Sequence, residues 1–241
     1  MDEVFSGDIA EEVLSFASFT EGRKIARVSK AWRKACRTSL VWKSVDVVGY
    51  RADALSLLSD LPDRTRGFRV DVEQGSTGEV LAACLARNLN SIEIFSRRSD
   101  GAVLLPSGDL LSRFSQLPLN DGLHILIQEP ADGEIFQMLA RCGHRIKTLI
   151  FLRGIDNVDS ATVKEFIESL TVIEELRLGA CHVDFDIVVD SVLALRPTLK
   201  RFQAESLNIS LGDLSRLVRC LDKTHCDISG MHVLALFAGL I

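Results

Sequence analysis

With 241 residues, 47% of them hydrophobic and 25% charged, the chain is typical of a well-packed globular protein of one or two domains rather than a disordered one. Its formal net charge of -5 argues against a general nucleic-acid binder, which presents a strongly basic face. No basic segment leads into an apolar stretch at the amino terminus, and the longest apolar stretch, residues 232–241, is about half of the roughly 20 residues that a membrane span needs. We therefore expect a cytoplasmic or nuclear protein with neither a nucleic-acid nor a membrane partner.

The first forty residues predict three short helices. They cover residues 8–17, residues 21–28 with Thr20 as candidate N-cap, and residues 29 or 30 to 36. A segment of this size cannot bury all of its apolar side chains by itself. Some of them must therefore face a partner or the next part of the chain.

The same segment resembles the F-box family over residues 4–45. The resemblance lies in Phe5-Ser-Gly-Asp-Ile9, Glu12-Val-Leu-Ser-Phe16, Ile25-Ala-Arg-Val28-Ser-Lys-Ala-Trp32-Arg33 and Leu40-Val-Trp42. Phe5-Ser6 stands where the family has Leu-Pro, so the sequence departs from the pattern at the entry to the first helix. The resemblance implies docking on Skp1, and through it on a cullin. The side chains expected to contact Skp1 are Phe5, Ile9, Val13, Leu14, Ile25, Val28 and Trp32.

A structural alternative stays open for this segment, because the terminal unit of a repeat array needs a cap. The helices would then pack only against the repeats. Residues 23–43 also carry a basic cluster, which predicts either solvated helix faces or attraction of an acidic partner. Its members are Arg23, Lys24, Arg27, Lys30, Arg33, Lys34, Arg37 and Lys43.

The remainder, residues 46–241, contains an internal repeat. The segment Ile173-Glu-Glu-Leu-Arg-Leu-Gly-Ala-Cys-His-Val183 resembles the leucine-rich repeat pattern L-x-x-L-x-L-x-x-N/C-x-L. Full or partial copies begin at residues 42, 65, 89, 120, 146, 173 and 199, mostly spaced by the roughly 20 to 29 residues of this repeat class. The longest step, before residue 120, predicts an insertion.

Between these short strands, apolar residues follow helical spacing, as at Val163, Phe166, Ile167 and Leu170. Oxygen-bearing side chains precede several of these helices as candidate N-caps, namely Thr77, Asp132, Asp159 and Asp186. The fold class we predict is α/β: a leucine-rich repeat solenoid with a parallel concave sheet, headed by a three-helix F-box module.

Strand alternation places a target site on the concave face of that sheet, because residues between the leucine positions point away from the core. Such residues in the middle repeats predict an apolar patch with a polar edge, which is typical of a binding surface. A covering insertion is the alternative. The predicted target contacts are Phe95, His124, Leu126, Ile150, Leu152 and Arg177.

The functional prediction is a substrate-recognition adaptor of a Skp1-cullin-F-box ubiquitin ligase, which binds a target protein through its repeats. The alternative is a stand-alone repeat scaffold with no ubiquitin role. We expect no enzymatic activity and no cofactor, because the sequence lacks a catalytic constellation and a phosphate-binding glycine motif.

Zinc is not expected either, because the neighbouring pairs Cys142–His144 and His225–Cys226 lack a four-ligand spacing. Metal analysis of protein purified without chelator should therefore find no stoichiometric zinc. A bound equivalent that is lost on changing Cys142 or His144 would contradict this prediction.

Overall fold

The computed structural model describes residues 7–49, 53–73, 75–97, 102–103, 105–155, 158–180, 183–205, 208–221, 225–229 and 232–233. The chain forms two compact units, Met1–Leu105 with Pro118–Asn120, and Pro106–Leu117 with Asp121–Ile241. The helical amino-terminal segment therefore belongs to the same unit as the first strands, and the predicted boundary at residues 45 and 46 falls inside that unit.

The first unit opens with three helices, as predicted, and then alternates strands with helices. Its helices are α1 Gly7–Ser15, α2 Phe19–Ile25, α3 Lys30–Thr38, α4 Ala54–Ser59 and α5 Thr77–Ala86, with a 3₁₀ turn at Leu40–Lys43. Its strands are β1 Ser44–Asp46, β2 Gly67–Glu73 and β3 Ser91–Arg97. They pair in parallel, with β2 between β1 and β3.

The second unit continues the alternation. Its helices are α6 Gly108–Ser115, α7 Gly133–Ala140, α8 Ser160–Ser169, α9 Val189–Ala194 and α10 Leu211–Cys220, with 3₁₀ turns at Gly143–Arg145 and Phe185–Ile187. Its strands are β4 Leu123–Ile127, β5 Ile146–Phe151, β6 Glu175–Ala180, β7 Arg201–Glu205, β8 Asn208–Ile209, β9 His225–Ser229 and β10 His232–Val233. Strands β4, β5, β6, β7 and β9 pair in parallel in that order, and β8 pairs with β10.

The predicted α/β class and the strand positions are confirmed. Each of β1 to β7 begins within three residues of a predicted repeat start, and a helix or helical turn follows each strand. Strands β8, β9 and β10 were not predicted. None of the helices in the part of the chain that the structure describes has both the length and the apolar character to cross a bilayer.

The core of the second unit lies between its helices and the facing side of its sheet. The Phe136 ring of α7 contacts Phe166 of α8 at 4.9 Å and Phe151 of β5 at 5.4 Å between ring centroids. All three rings are buried. Aromatic pairs at these distances stabilise a core beyond the burial of their area, so these contacts fix α7 to β5 and to α8.

Two of the four predicted N-caps are confirmed. The carboxylates of Asp132 and Asp159 accept backbone N–H groups in the first turns of α7 and α8. The other two are wrong: Thr77 lies inside α5, and Asp184 takes the capping place predicted for Asp186. The Asp186 carboxylate instead accepts the backbone N–H of Ser210 at 2.9 Å, so it joins two successive repeats.

A glycine permits the chain to pass close to the end of β6. Gly154 has φ +107°, and a Cβ built on it would lie 1.9 Å from the carbonyl oxygen of Ala180. The next residue, Ile155, donates its N–H to that same oxygen at 3.0 Å. Only glycine adopts this backbone conformation easily and leaves room for the neighbouring strand.

Gly154→Ala should therefore lower the free energy of unfolding by more than about 2 kcal/mol, through backbone strain and a clash that no side chain can relieve. Gly78→Ala in α5 is the matched control, because a Cβ there meets nothing within 4 Å. That change should be neutral or stabilise by up to about 1 kcal/mol through helix propensity. Urea unfolding followed by circular dichroism compares the two; equal effects would contradict this account of Gly154.

Candidate functional site

Helix α1 has apolar side chains on two faces. Ala10 and Leu14 are buried against the rest of the unit. Ile9 and Val13 lie on another face, which Phe16 continues in the turn directly after α1, and the three side chains are 46%, 41% and 85% exposed. One stripe is enough to hold a surface helix to its domain, so the second stripe is available for another surface.

The remaining side chains predicted to contact Skp1 are distributed differently. Val28 is 75% exposed, whereas Ile25 and Trp32 are half-buried. Leu14 is fully buried and contributes to the core, because it lies on the inner stripe of α1. Phe5 lies outside the described residues.

The local sequence explains why Phe16 lies in a turn. Ser18, rather than the predicted Thr20, is the N-cap of α2. The Ser18 hydroxyl accepts the N–H of Glu21 at 3.3 Å, and the Glu21 carboxylate accepts the N–H of Ser18 at 2.8 Å. This capping box starts α2 only a few residues after α1 ends. The hydrogen bonds that Ser18 makes to Glu21 also lower the pKa of that carboxyl group.

The aromatic side chain that anchors the helical segment is Trp42. It is buried and meets the Phe19 ring edge-on, with centroids 5.7 Å apart. A Cβ on Gly22 would lie 2.7 Å from the indole, so α2 approaches the ring closely at this glycine. The carbonyl of Trp42 also accepts the hydroxyl of Thr65 at 2.9 Å. These contacts join the helices to the first strands.

The sheet face opposite the one that α4, α5, α7 and α8 cover, which we call the distal face, carries charges in the first unit. Asp46 of β1, Arg69 of β2 and Glu93 of β3 are neighbours in the strand register. Arg69 donates to both oxygens of Glu93, at 2.9 and 3.1 Å, and to Asp46 at 3.2 Å. This charge ladder links the three strands through their side chains.

Burial raises the pKa of Glu93, although Arg69 opposes the shift. Burial alone would lower the pKa of Arg69, but its hydrogen bonds and charge attraction to Glu93 and Asp46 outweigh burial and raise it. The two-point contact to a buried carboxylate is the geometry in which guanidinium groups bind most strongly.

In the second unit the predicted apolar patch is not exposed. Leu126 and Ile150 lie on the distal face as predicted, but they are buried, and so is His124, whose Nδ1 lies 3.1 Å from the Thr148 hydroxyl oxygen. Phe95 in the first unit is also buried. The exposure that was predicted for these four side chains is therefore wrong. Parallel strands are commonly covered on both faces, so apolar residues on the distal face need not mark a binding site.

A partly exposed polar surface remains on β6 and β7. Predicted Arg177 is half-buried there and donates to Glu205 at 2.8 Å, while Glu175 pairs with Arg201 at 3.7 Å and with Arg113 of α6. Leu152, also predicted, is half-buried after the end of β5. Of the predicted target contacts, only Arg177 and Leu152 keep exposed surface.

Nearby charges continue this surface along the strand starts. Lys147 bridges Asp121 and Glu174, at 2.7 and 3.4 Å, and Lys200 reaches Glu174 at 2.6 Å. The hydrogen bond from Lys200, followed by that from Lys147, lowers the pKa of Glu174. These residues were not predicted as part of a site. They could have been recognised in the sequence, because they recur at the start of successive repeats at nearly equal spacing.

The described cysteines do not form a reactive or metal-binding group. Cys36 and Cys84 are buried, and burial raises the pKa of the Cys84 thiol to about 12. Cys142 is half-buried, and burial raises the pKa of its thiol as well. Within the ranges that the structure describes, no three His, Cys, Asp or Glu side chains are grouped so that they could hold a metal ion.

Comparison with known proteins does not identify a family for this chain. No protein-family model matches the sequence, and no curated protein matches it significantly.

The charge ladder predicts an asymmetric response to mutation at pH 7. Arg69→Met should cost about 3 kcal/mol, because it leaves a buried carboxylate without its cation. Adding Glu93→Gln should restore most of this stability, and Glu93→Gln alone should change it by less than about 1 kcal/mol. Urea unfolding followed by tryptophan fluorescence reports this unit, because both tryptophans, Trp32 and Trp42, belong to it.

The pH dependence follows from the raised pKa of Glu93. A carboxyl group whose pKa is raised on folding contributes stability below its unfolded value of 4.5, and loses that contribution as the pH rises through the folded value. The defect of Arg69→Met should therefore shrink in acid. Asp46→Asn is the control, because Asp46 is exposed and its pair is worth roughly 0 to 1 kcal/mol. A defect independent of pH would contradict a role for the Glu93 charge.

Proposed function

We propose that this chain is a non-catalytic adaptor of a Skp1-cullin-F-box ubiquitin ligase. The observation that carries the proposal is the second apolar stripe of α1, formed by Ile9, Val13 and Phe16, with Val28 exposed nearby in sequence after α2. These positions belong to the residues that resemble the F-box motif. A partner with an apolar groove would remove them from water.

The second part of the proposal is capture of a target protein by the repeat region. The supporting surface is the half-buried charged face of β6 and β7, which contains Arg177, Gln203 and Glu205. Charges of both signs favour a target with complementary charges rather than the apolar segment that the sequence first suggested. Such an adaptor would act in the cytoplasm or nucleus, and the chemistry would belong to other subunits.

One observation favours the alternative, a repeat scaffold with no ubiquitin role. The helical segment packs into the first unit through Leu14 of α1, Phe19 of α2 and Trp42 of the 3₁₀ turn after α3, as a capping element would. Co-purification from a native extract separates the two functions. Recovery of Skp1 and a cullin supports the adaptor, whereas recovery of an unrelated assembly without them supports the scaffold.

Direct binding tests the proposed Skp1 surface. Val13→Asp or Phe16→Asp should weaken binding to purified Skp1 by about 2 to 4 kcal/mol, because each places an unpaired charge in an apolar contact. The measurement is isothermal titration calorimetry at tens of micromolar protein, roughly the range in which such a contact should be detected.

Leu211→Asp is the matched control, since Leu211 is a 59% exposed leucine of α10 in the other unit. It makes the same kind of change on a surface with no proposed role, and should leave Skp1 binding intact. The ligase proposal fails if the wild-type protein does not bind Skp1 in this range.

A further inference from the structure

In the folded chain, the arginines and the lysines of the basic cluster at residues 23–43 lie in different places. A cavity of about 380 Å³ lies in the first unit between the helical segment, α4 and the end of α5. All four arginines of the cluster line it, and Arg87 from α5 makes a fifth. The four lysines of the cluster are exposed but do not line the cavity. The arginines of the cavity are Arg23, Arg27, Arg33, Arg37 and Arg87.

The arginines come from α2, from the turn after it and from α3. Arg33 and Arg37 are four residues apart in α3, and so they lie on one side of that helix. Arg23 lies in the last turn of α2, and Arg27 follows the end of that helix. Lys30 and Lys34 lie close to the same side of α3, but neither lines the cavity. The fold therefore brings guanidinium groups, and not ammonium groups, to a single cavity.

Three of the five guanidinium groups are held by the protein. Arg87 donates to the carbonyl of Leu61 at 2.7 Å, Arg33 donates to a backbone carbonyl in the turn after α2, and Arg23 pairs with Asp60. Within the described residues, the side chains of Arg27 and Arg37 take part in no hydrogen bond or ion pair. The guanidinium groups of Arg27 and Arg37 are therefore available to bind a ligand, whereas the protein itself orients the other three arginines.

The charge of the cavity is strongly positive. Its carboxylates are Asp60, which Arg23 already engages, and Asp63, against five arginines. Concentrating like charges raises the electrostatic energy of the folded protein unless an anion neutralises them. Phe19, Trp42 and Leu61 are buried side chains of the wall, so the cavity also has an apolar surface on which an organic group could lie.

We propose that this cavity binds a phosphate monoester. Arginine forms two-point hydrogen bonds with phosphate oxygens that lysine cannot reproduce, which accounts for the segregation of the two residue types. The volume falls in the range of about 300 to 1,000 Å³ typical of small-ligand sites, and exceeds what a bare phosphate ion needs. The site is separate from the apolar stripe of α1, so the inference does not depend on the proposed ubiquitin role.

Calorimetry on the full chain at low salt tests this binding with two probes, inorganic phosphate and a short phosphoserine peptide. Arg27→Gln combined with Arg37→Gln should weaken binding by about tenfold or more, because charge-assisted hydrogen bonds to the anion are lost. Both residues are exposed, so the fold should tolerate the change. Lys30→Gln combined with Lys34→Gln is the matched control with the same change in net charge, and should alter affinity less than twofold.

The wild-type protein provides a second readout that needs no variant. Binding should weaken as the pH falls from 7.5 to 5.5, because the second phosphate ionisation has a pKa near about 6. Tighter binding of the peptide would identify a phosphorylated protein as the source of the ligand, and equal or tighter binding of inorganic phosphate would identify a small phosphate compound; both support the site.

Three results would overturn the proposal. One is failure of both probes to bind wild-type protein at about 5 mM, well above the Kd expected of a built site. Another is equal weakening by the arginine and lysine variants, which would show diffuse attraction by net charge. The third is tighter binding of a glutamate-containing peptide or a short single-stranded RNA than of either phosphate probe.

Discussion

Parallel pairing of very short strands is the constraint on which the rest of this structure depends. Strands β1 to β7 have three to seven residues each, and none can satisfy its backbone hydrogen bonds without a neighbour on each side. A parallel neighbour can be reached only by a crossover connection, which here contains a helix or helical turn. Each crossover therefore brings an apolar stripe back over the strands, and the core is built one repeat at a time.

The surfaces available for recognition consist of the side chains that are not buried in this core. Helix α1 buries one apolar stripe, with Leu14 at its centre, and leaves another exposed through Val13 and Phe16. On the distal face, the partly exposed residues of β6 and β7 in the second unit are mostly charged. The helical segment and the repeats therefore present chemically different surfaces, as expected of a chain that joins two partners.

Repeat spacing was sufficient to predict strands β1 to β7 and the alternation of strands with helices, because a nearly constant distance between apolar pairs fixes where each repeat begins. It could not predict burial on the distal face. Leu123-His-Ile-Leu-Ile127 is a nearly continuous apolar run, which indicates a strand covered on both sides, whereas strict alternation led us to expect that Leu126 was exposed. The arginine cavity was also beyond prediction, because Arg87 joins the cluster only through the tertiary fold.

The ladder of Asp46, Arg69 and Glu93 has a consequence for how the first sheet assembles. If β2 and β3 slipped by two residues, every apolar side chain would keep its face, so hydrophobic burial alone would tolerate the error. That slip would place Asp71 opposite Glu93, or Arg69 opposite Phe95, instead of pairing Arg69 with Glu93. Misaligned sheets would then contain adjacent like charges or a Glu93 carboxylate without its cation. Charge pairing thus favours the observed register over slips that the repeated apolar pattern alone would tolerate.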